Sequence, residues 1–248
     1  MSHQEEPRRR FLRQVLAIVP VATVSTGVTL TQSACGERND SAASASATSA
    51  EDNDASYHPT FFSDTEWAFV RAAVDRLIPE DDLGPGAVKA GVPEYIDRQM
   101  ETPYGHGKLW YMQGPFHPDQ AAEMGYQLNM TPRDIYRHGI KECDEYCAKQ
   151  YGGKTFTQLD THNQEAVLRD IEHQKVHFEA VPARTFFSYL LGNTKEGFLA
   201  DPMYGGNKGM VGWKMVGFPG ARADFQDWIE QPGVKYPYGP VSINGRRG

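Results

Sequence analysis

Cysteine is nearly absent: three occur in 248 residues. None stands in the CxxCH order that attaches a c-type haem, and there is no four-cysteine pattern of the kind that holds an iron–sulfur cluster, so the chain ligates neither by itself. Three are also too few for a disulfide scaffold. Missing as well are any G-x-S-x-G or catalytic Cys/His pattern and any run of alternating β-branched residues. The glycines at 84, 86 and 91 lack the third glycine spacing of a dinucleotide fingerprint and follow an acidic loop instead of a strand, which excludes a phosphate-cradling turn. Positive charge is in deficit, with a formal net charge of −7. An acidic surface argues against nucleic acid as a partner and against charge-driven binding to anionic membranes. No long apolar run is present either. The stretch from Val15 to Leu30 is only moderately apolar and is broken by Pro20, Gly27 and several Ser and Thr, where a membrane span needs about 20 mostly apolar residues.

What the N-terminus does have is order. Arg8 and Arg9 precede Phe11 and Leu12, with Arg13 following, the arrangement of a twin-arginine export signal, and the uncharged run after Arg13 is its apolar region. Residues 1–35 are therefore expected to be a signal peptide. Ser33-Ala34-Cys35 has the small residues of a lipidation site, but Gln32 stands where an aliphatic residue is usual. A lipid-modified Cys35 and an unmodified one both remain open. Residues 36–58, with Ser-Ala-Ala-Ser-Ala-Ser-Ala-Thr-Ser-Ala at 41–50, read as a flexible linker that cannot bury enough apolar surface to fold. The signal carries four Arg against Glu5 and Glu6, so the exported part is at −9.

Residues 59–248 are expected to form one compact, mainly α domain with long ordered loops rich in glycine and aromatics. Ser63-Asp64-Thr65-Glu66 is a capping box, followed by Trp67, Val70, Val74 and Leu77 at helical spacing. The spacing predicts a helix over 64–78, ended by Pro79, then a short helix carrying Tyr95, Ile96 and Met100. Residues 101–130 combine many Gly and Pro with Tyr104, Trp110, Tyr111 and Phe116. That stretch is too broken for regular structure and too aromatic for a solvated loop, which suggests an ordered excursion packed on something. Thr131 and Pro132 open the clearest helix, whose face bears Ile135, Tyr136, Ile140, Cys143 and Cys147 until Gly152. Further helices are expected over 161–173 and from Ala183 to about Leu191, continuing or restarting towards Leu199. The last fifty residues hold seven glycines between 197 and 220 interleaved with Trp213, Phe218, Phe225 and Trp228. Such a segment reads as a recognition loop rather than a packing element, with terminal disorder as the alternative.

Candidate chemistry is sparse. His173 and His177 lie four apart, as two ligands on one helix face would, but without an evident third ligand they read as surface histidines. Cys143 and Cys147 place their α-carbons about 6 Å apart on one helix with parallel β-carbons, poor geometry for a disulfide between them. They are either two buried thiols or the source of a bridge to a partner chain.

The segment from Asn193 through Asp201-Pro202-Met203-Tyr204-Gly205-Gly206-Asn207 to Gly212-Trp213-Lys214 and Gly217-Phe218-Pro219-Gly220-Ala221 closely resembles the C-terminal signature of the gluconate 2-dehydrogenase subunit 3 family. Arg76-Leu77-Ile78-Pro79, Gly84-Pro85-Gly86-Ala87 and Gly91-Val92 are similar to that family too, as is the leader. The resemblance implies a non-catalytic small subunit of a periplasmic, membrane-associated dehydrogenase. It would carry no cofactor of its own. Its partners would be a large flavoprotein of the glucose-methanol-choline oxidoreductase type holding FAD, a multihaem cytochrome c holding haem c, and the twin-arginine translocase. The substrate would be gluconate or a related sugar, sugar acid or polyol. For the partner interface the expected residues are Tyr204, Gly205, Gly206, Asn207 and Trp213, then Trp110 and Tyr111. Alternatively, Asp201 and Asn207 cap turns inside this chain. A stand-alone exported scaffold anchored by lipid, or a metal-binding protein, is the other reading.

Overall fold

The computed structural model describes residues 57–118 and 120–248, all within one compact unit. Arg8, Arg9, Phe11, Leu12 and Cys35, and with them the expected signal and most of the linker, lie outside the described residues. Six α-helices and no β-strands occur among those described: α1 (Asp64–Leu77), α2 (Val92–Met100), α3 (Pro132–Gln150), α4 (Thr161–Glu172), α5 (Ala183–Leu199) and α6 (Val211–Val216).

Helix starts follow the local chemistry. Ser63 and Glu66 form the reciprocal capping box at α1, and Thr131 does the same with Asp134 at α3, where Pro132 occupies the first turn. Asp160 caps α4 by accepting from Asn163 N at 2.9 Å. Among the helices α5 is the hub, packing against each of the other five. It runs unbroken through Gly192, because Phe186, Phe187, Leu190 and Phe198 bury along it and outweigh the weak helix preference of one glycine. Around it close Phe69, Val70 and Val74 of α1, Ile96 and Met100 of α2, Ile135 and Tyr136 of α3, and Val167, Leu168 and Ile171 of α4. Gly139 is what lets α3 approach α5: a Cβ there would overlap the Phe186 ring.

The segment leading into α1 is pinned by a buried acid. Asp97 of α2 has no exposed surface. Its Oδ2 accepts from Tyr57 Oη at 2.7 Å, Thr60 N at 2.7 Å and Thr60 Oγ1 at 3.0 Å, and its Oδ1 accepts from Phe61 N at 3.1 Å and Phe62 N at 3.0 Å. Phe61 and Phe62 turn into the core beside this clasp, with the Arg133 and Arg137 guanidinium groups over the Phe61 ring.

α4 stops at Glu172 with His173 as its C-cap, so His173 and His177 do not share a helix, and both are the exposed surface histidines expected. One sequence expectation changes. The glycine-rich tail is largely a packing element. A side chain on Gly206 would overlap the Gly197 carbonyl, and one on Gly212 would overlap the Phe198 carbonyl, so both glycines press backbone against the last turns of α5.

Candidate functional site

The exposed side of α5 borders two hollows. Ser188, Gly192, Lys195, Glu196 and Leu199 succeed one another on it, half-buried or exposed. Two open hollows meet at Glu196. The larger, about 640 Å³, lies between α2 and α5 and is walled by Tyr95, Gln99, Lys195 and Tyr204 among others. The other, about 380 Å³, is walled by Tyr104, Trp110, Tyr126 and Tyr189 over Gly192.

Behind them stands a buried polar chain. Tyr136, fully buried, donates to Asn193 Oδ1 at 3.0 Å. The Asn193 amide donates in turn to Tyr104 Oη and to Glu196 Oε2, each at 2.9 Å. Asn193 thus uses its acceptor and both donors, the condition under which a buried amide is tolerated in a core. Its effect is to fix the rotamers of Tyr104 and Glu196 at the lip of the hollows. Burial, with Glu196 and Tyr204 nearby, pushes the Tyr95 phenol up to about 12. Tyr104 and Tyr126 are raised further, chiefly by burial. All three present neutral rings and hydroxyls at physiological pH.

The loop closing the larger hollow is built around residues expected to face a partner. Asn207 has no exposed surface: its Oδ1 accepts from Gly212 N and its Nδ2 donates to Ala200 O, both at 2.8 Å. Its φ of 47° lies in the left-handed region that Asn tolerates. Trp213 is buried and donates from Nε1 to Leu199 O at 2.7 Å. Gly205, at φ 96°, turns the chain against Arg98 and Glu94, while Lys208 reaches Glu94 at 2.8 Å. Asp201 accepts from Met203 N at 3.0 Å and, through its other oxygen, from Ile243 N at 2.7 Å, stapling residues 240–243 to the loop. Gly206, Asn207 and Trp213 therefore form the frame, and Tyr204, 45% exposed, is what the frame holds outward beside Met203. Of the second pair, Trp110 lies in the wall of the smaller hollow and Tyr111 is exposed.

Cys143 and Cys147 are both free and fully buried, and burial pushes the Cys143 thiol well up. Neither sulfur reaches the surface, so a bridge from either to a partner chain needs α3 to leave the core. Among the described residues no group of three or more His, Cys, Asp or Glu is placed to hold a metal, and no helix is long and apolar enough to cross a membrane.

A family model described as gluconate 2-dehydrogenase subunit 3 matches residues 64–220, from the first residue of α1 to just beyond α6. The chain belongs to the gluconate 2-dehydrogenase subunit 3 family. Searches of curated proteins and of solved structures each returned no match. The match takes in both hollows and the whole Asp201–Trp213 frame, while the tail that Asp201 staples down lies beyond the part shared with the subunit 3 family.

Reasoning from sequence missed Asn193 and Glu196 as site residues. A signal was available: Asn is a poor interior helix residue, yet Asn193 sits on the apolar stripe between Leu190 and Phe198, where only a bonded amide is tolerated.

Proposed function

We propose that this chain is the non-catalytic small subunit of a periplasmic, membrane-associated flavoprotein dehydrogenase complex that oxidises gluconate or a related sugar or polyol. The observation that carries the reading is the family match across the helical core. The subunit binds the large glucose-methanol-choline-type flavoprotein, which holds FAD, and assists its folding and stability. A multihaem cytochrome c with haem c completes the complex. Reaction chemistry belongs to those partners. This chain contributes surface: neutral phenols and indole edges around Glu196, framed by a loop whose own polar atoms are already bonded, are suited to anchoring another protein with little loss of side-chain freedom.

Export follows from the same reading. The flavoprotein folds around FAD before it crosses the membrane, and the small subunit carries it out on the Arg8-Arg9 signal. Replacing Arg8 and Arg9 by Lys is expected to retain both subunits in the cytoplasm, measured as flavoprotein in the periplasmic fraction. Export of the flavoprotein that survives this change sinks the carrier role. Failure of the two chains to co-purify sinks the complex.

A further inference from the structure

The smaller hollow has a composition that selects its occupant. Tyr104, Trp110 and Tyr126 stand edge to face with centroids 6.0 Å apart, and Tyr126 meets Tyr189 at 6.4 Å. Glu196 is the one acidic side chain in the lining, which holds no basic one. It accepts from Asn193 and pairs with no cation among the described residues. At the floor, a Cβ on Gly192 would meet nothing within 4 Å, so that position is open space.

Arginines of this chain lie over several of its other rings. Arg133 and Arg137 lie 4.4 Å from the Phe61 centroid, Arg98 lies 5.6 Å from Tyr57, and Arg222 lies 5.0 Å from Tyr236 and 5.4 Å from Tyr238. The Tyr104–Tyr189 row receives no such group from the described residues, and the Glu196 carboxylate at its lip is left without the cation that Glu66 and Glu94 have beside the Phe61 and Tyr57 rings.

We infer that the hollow between the 101–130 excursion and α5 is a socket for a guanidinium side chain of the large subunit. This rests on the complex proposed above and goes further by naming the chemistry that enters. Aromatic faces attract a cation through their quadrupole, and a planar guanidinium can stack on a ring while its edge donates to a carboxylate. Burial raises the phenol pKa of Tyr104, Tyr126 and Tyr189, which keeps these groups neutral. Lys195, the neighbouring cation on α5, lines the other hollow. A volume of about 380 Å³ holds one long side chain, not a folded element. An arginine seated there is an interface anchor of the kind that dominates binding energy.

The test compares two small probes on the purified full chain: N-acetyl-arginine methylamide and its citrulline counterpart, which replaces guanidinium by neutral urea at the same shape. Followed by the indole N–H resonance of Trp110, the arginine probe is expected to bind roughly 10-fold more tightly. Glu196→Gln keeps an acceptor for Asn193 and should bring the two probes within about 2-fold of each other. Gly192→Leu should abolish binding of both with an unchanged or higher melting temperature, since Leu favours the helix and its side chain enters open space. Equal affinity for the two probes, or an undiminished response in Gly192→Leu, overturns the socket. So does a neutral sugar that shifts Trp110 where arginine does not. In the complex, Gly192→Leu should lower the co-purified flavoprotein at least about 10-fold; undiminished recovery overturns the docking role. Arginine binding by a chain that never co-purifies with a flavoprotein instead removes the complex and leaves the cation site standing.

Discussion

Asp97→Asn removes one carboxylate oxygen from a position where both are in use. In the less damaging orientation the new amide nitrogen faces Phe61 N and Phe62 N, leaving two buried donors without an acceptor; in the other it faces three donors. At about 1–3 kcal/mol for each such orphan, the better orientation costs about 2–6 kcal/mol. The remaining three bonds also weaken as they lose charge assistance. Burying a neutral amide in place of a charge gives part of this back, so about 3–5 kcal/mol remains. The other force holding residues 57–62 is burial of the Phe61 and Phe62 rings, about 1.5–3 kcal/mol each. The two contributions are of similar size, and losing the first makes attachment of the segment marginal. Local release before the helical core melts is the expected outcome. Chymotrypsin, which cuts after aromatic residues, should cleave at Phe61 or Phe62 about 100-fold faster or more under native conditions, because cleavage tracks the open population. Cleavage within about 5-fold of the unaltered protein, together with an unchanged melting temperature, refutes the reasoning.

Three further perturbations probe the site. Asn207→Gly keeps a residue that accepts the positive φ but orphans Gly212 N and Ala200 O; a loss of about 2–6 kcal/mol in a urea melt is expected, with Trp213 fluorescence shifting to the red. Asp201→Ala cuts the bond to Ile243 N, so limited proteolysis should open residues 225–245 while the α1–α5 core retains its resistance; cleavage spread evenly over the chain contradicts the staple. Alkali should act through the tyrosines. Tyr95 keeps its proton to about 12 in the fold against 10 when unperturbed, so the unfolded chain releases protons first, and stability present in full below pH 10 falls as pH rises through 10–12; urea melts that stay level across that window contradict the burial of Tyr95, Tyr104 and Tyr126.

The sequence announced what is local. α1 was legible because Ser63 and Glu66 are three residues apart and satisfy each other, and α3 because Thr131-Pro132 states both a cap and a first turn. The clasp was invisible: Asp97 resembles any surface acid on a short helix, and its partners lie 35 to 40 residues away. Asn193 draws together Tyr136 and Tyr104 from 57 and 89 positions off. Glycine density was visible but its sense was not, since the same residues permit a loop to meet a partner or to lie on its own helix. Only the position of the Gly197 and Phe198 carbonyls decides between the two. The smaller hollow was half legible, in that the aromatic excursion was expected to pack on something, while the face it packs on was not.

The glycine seam also sets what kind of information the Asp201–Trp213 stretch carries. Gly206 lies on the Gly197 carbonyl, Gly212 on that of Phe198, Asn207 joins Ala200 O to Gly212 N, and Trp213 closes on Leu199 O. Each identity is dictated by available room or by a backbone atom that must be satisfied. To recognise this stretch is therefore to recognise a mould, the letters without which the corner does not form. Met203 and Tyr204, held outward by the mould, are free of that constraint. On the interface proposed above, exchanging these two side chains between chains cast in this mould is expected to exchange the partner while leaving the corner intact.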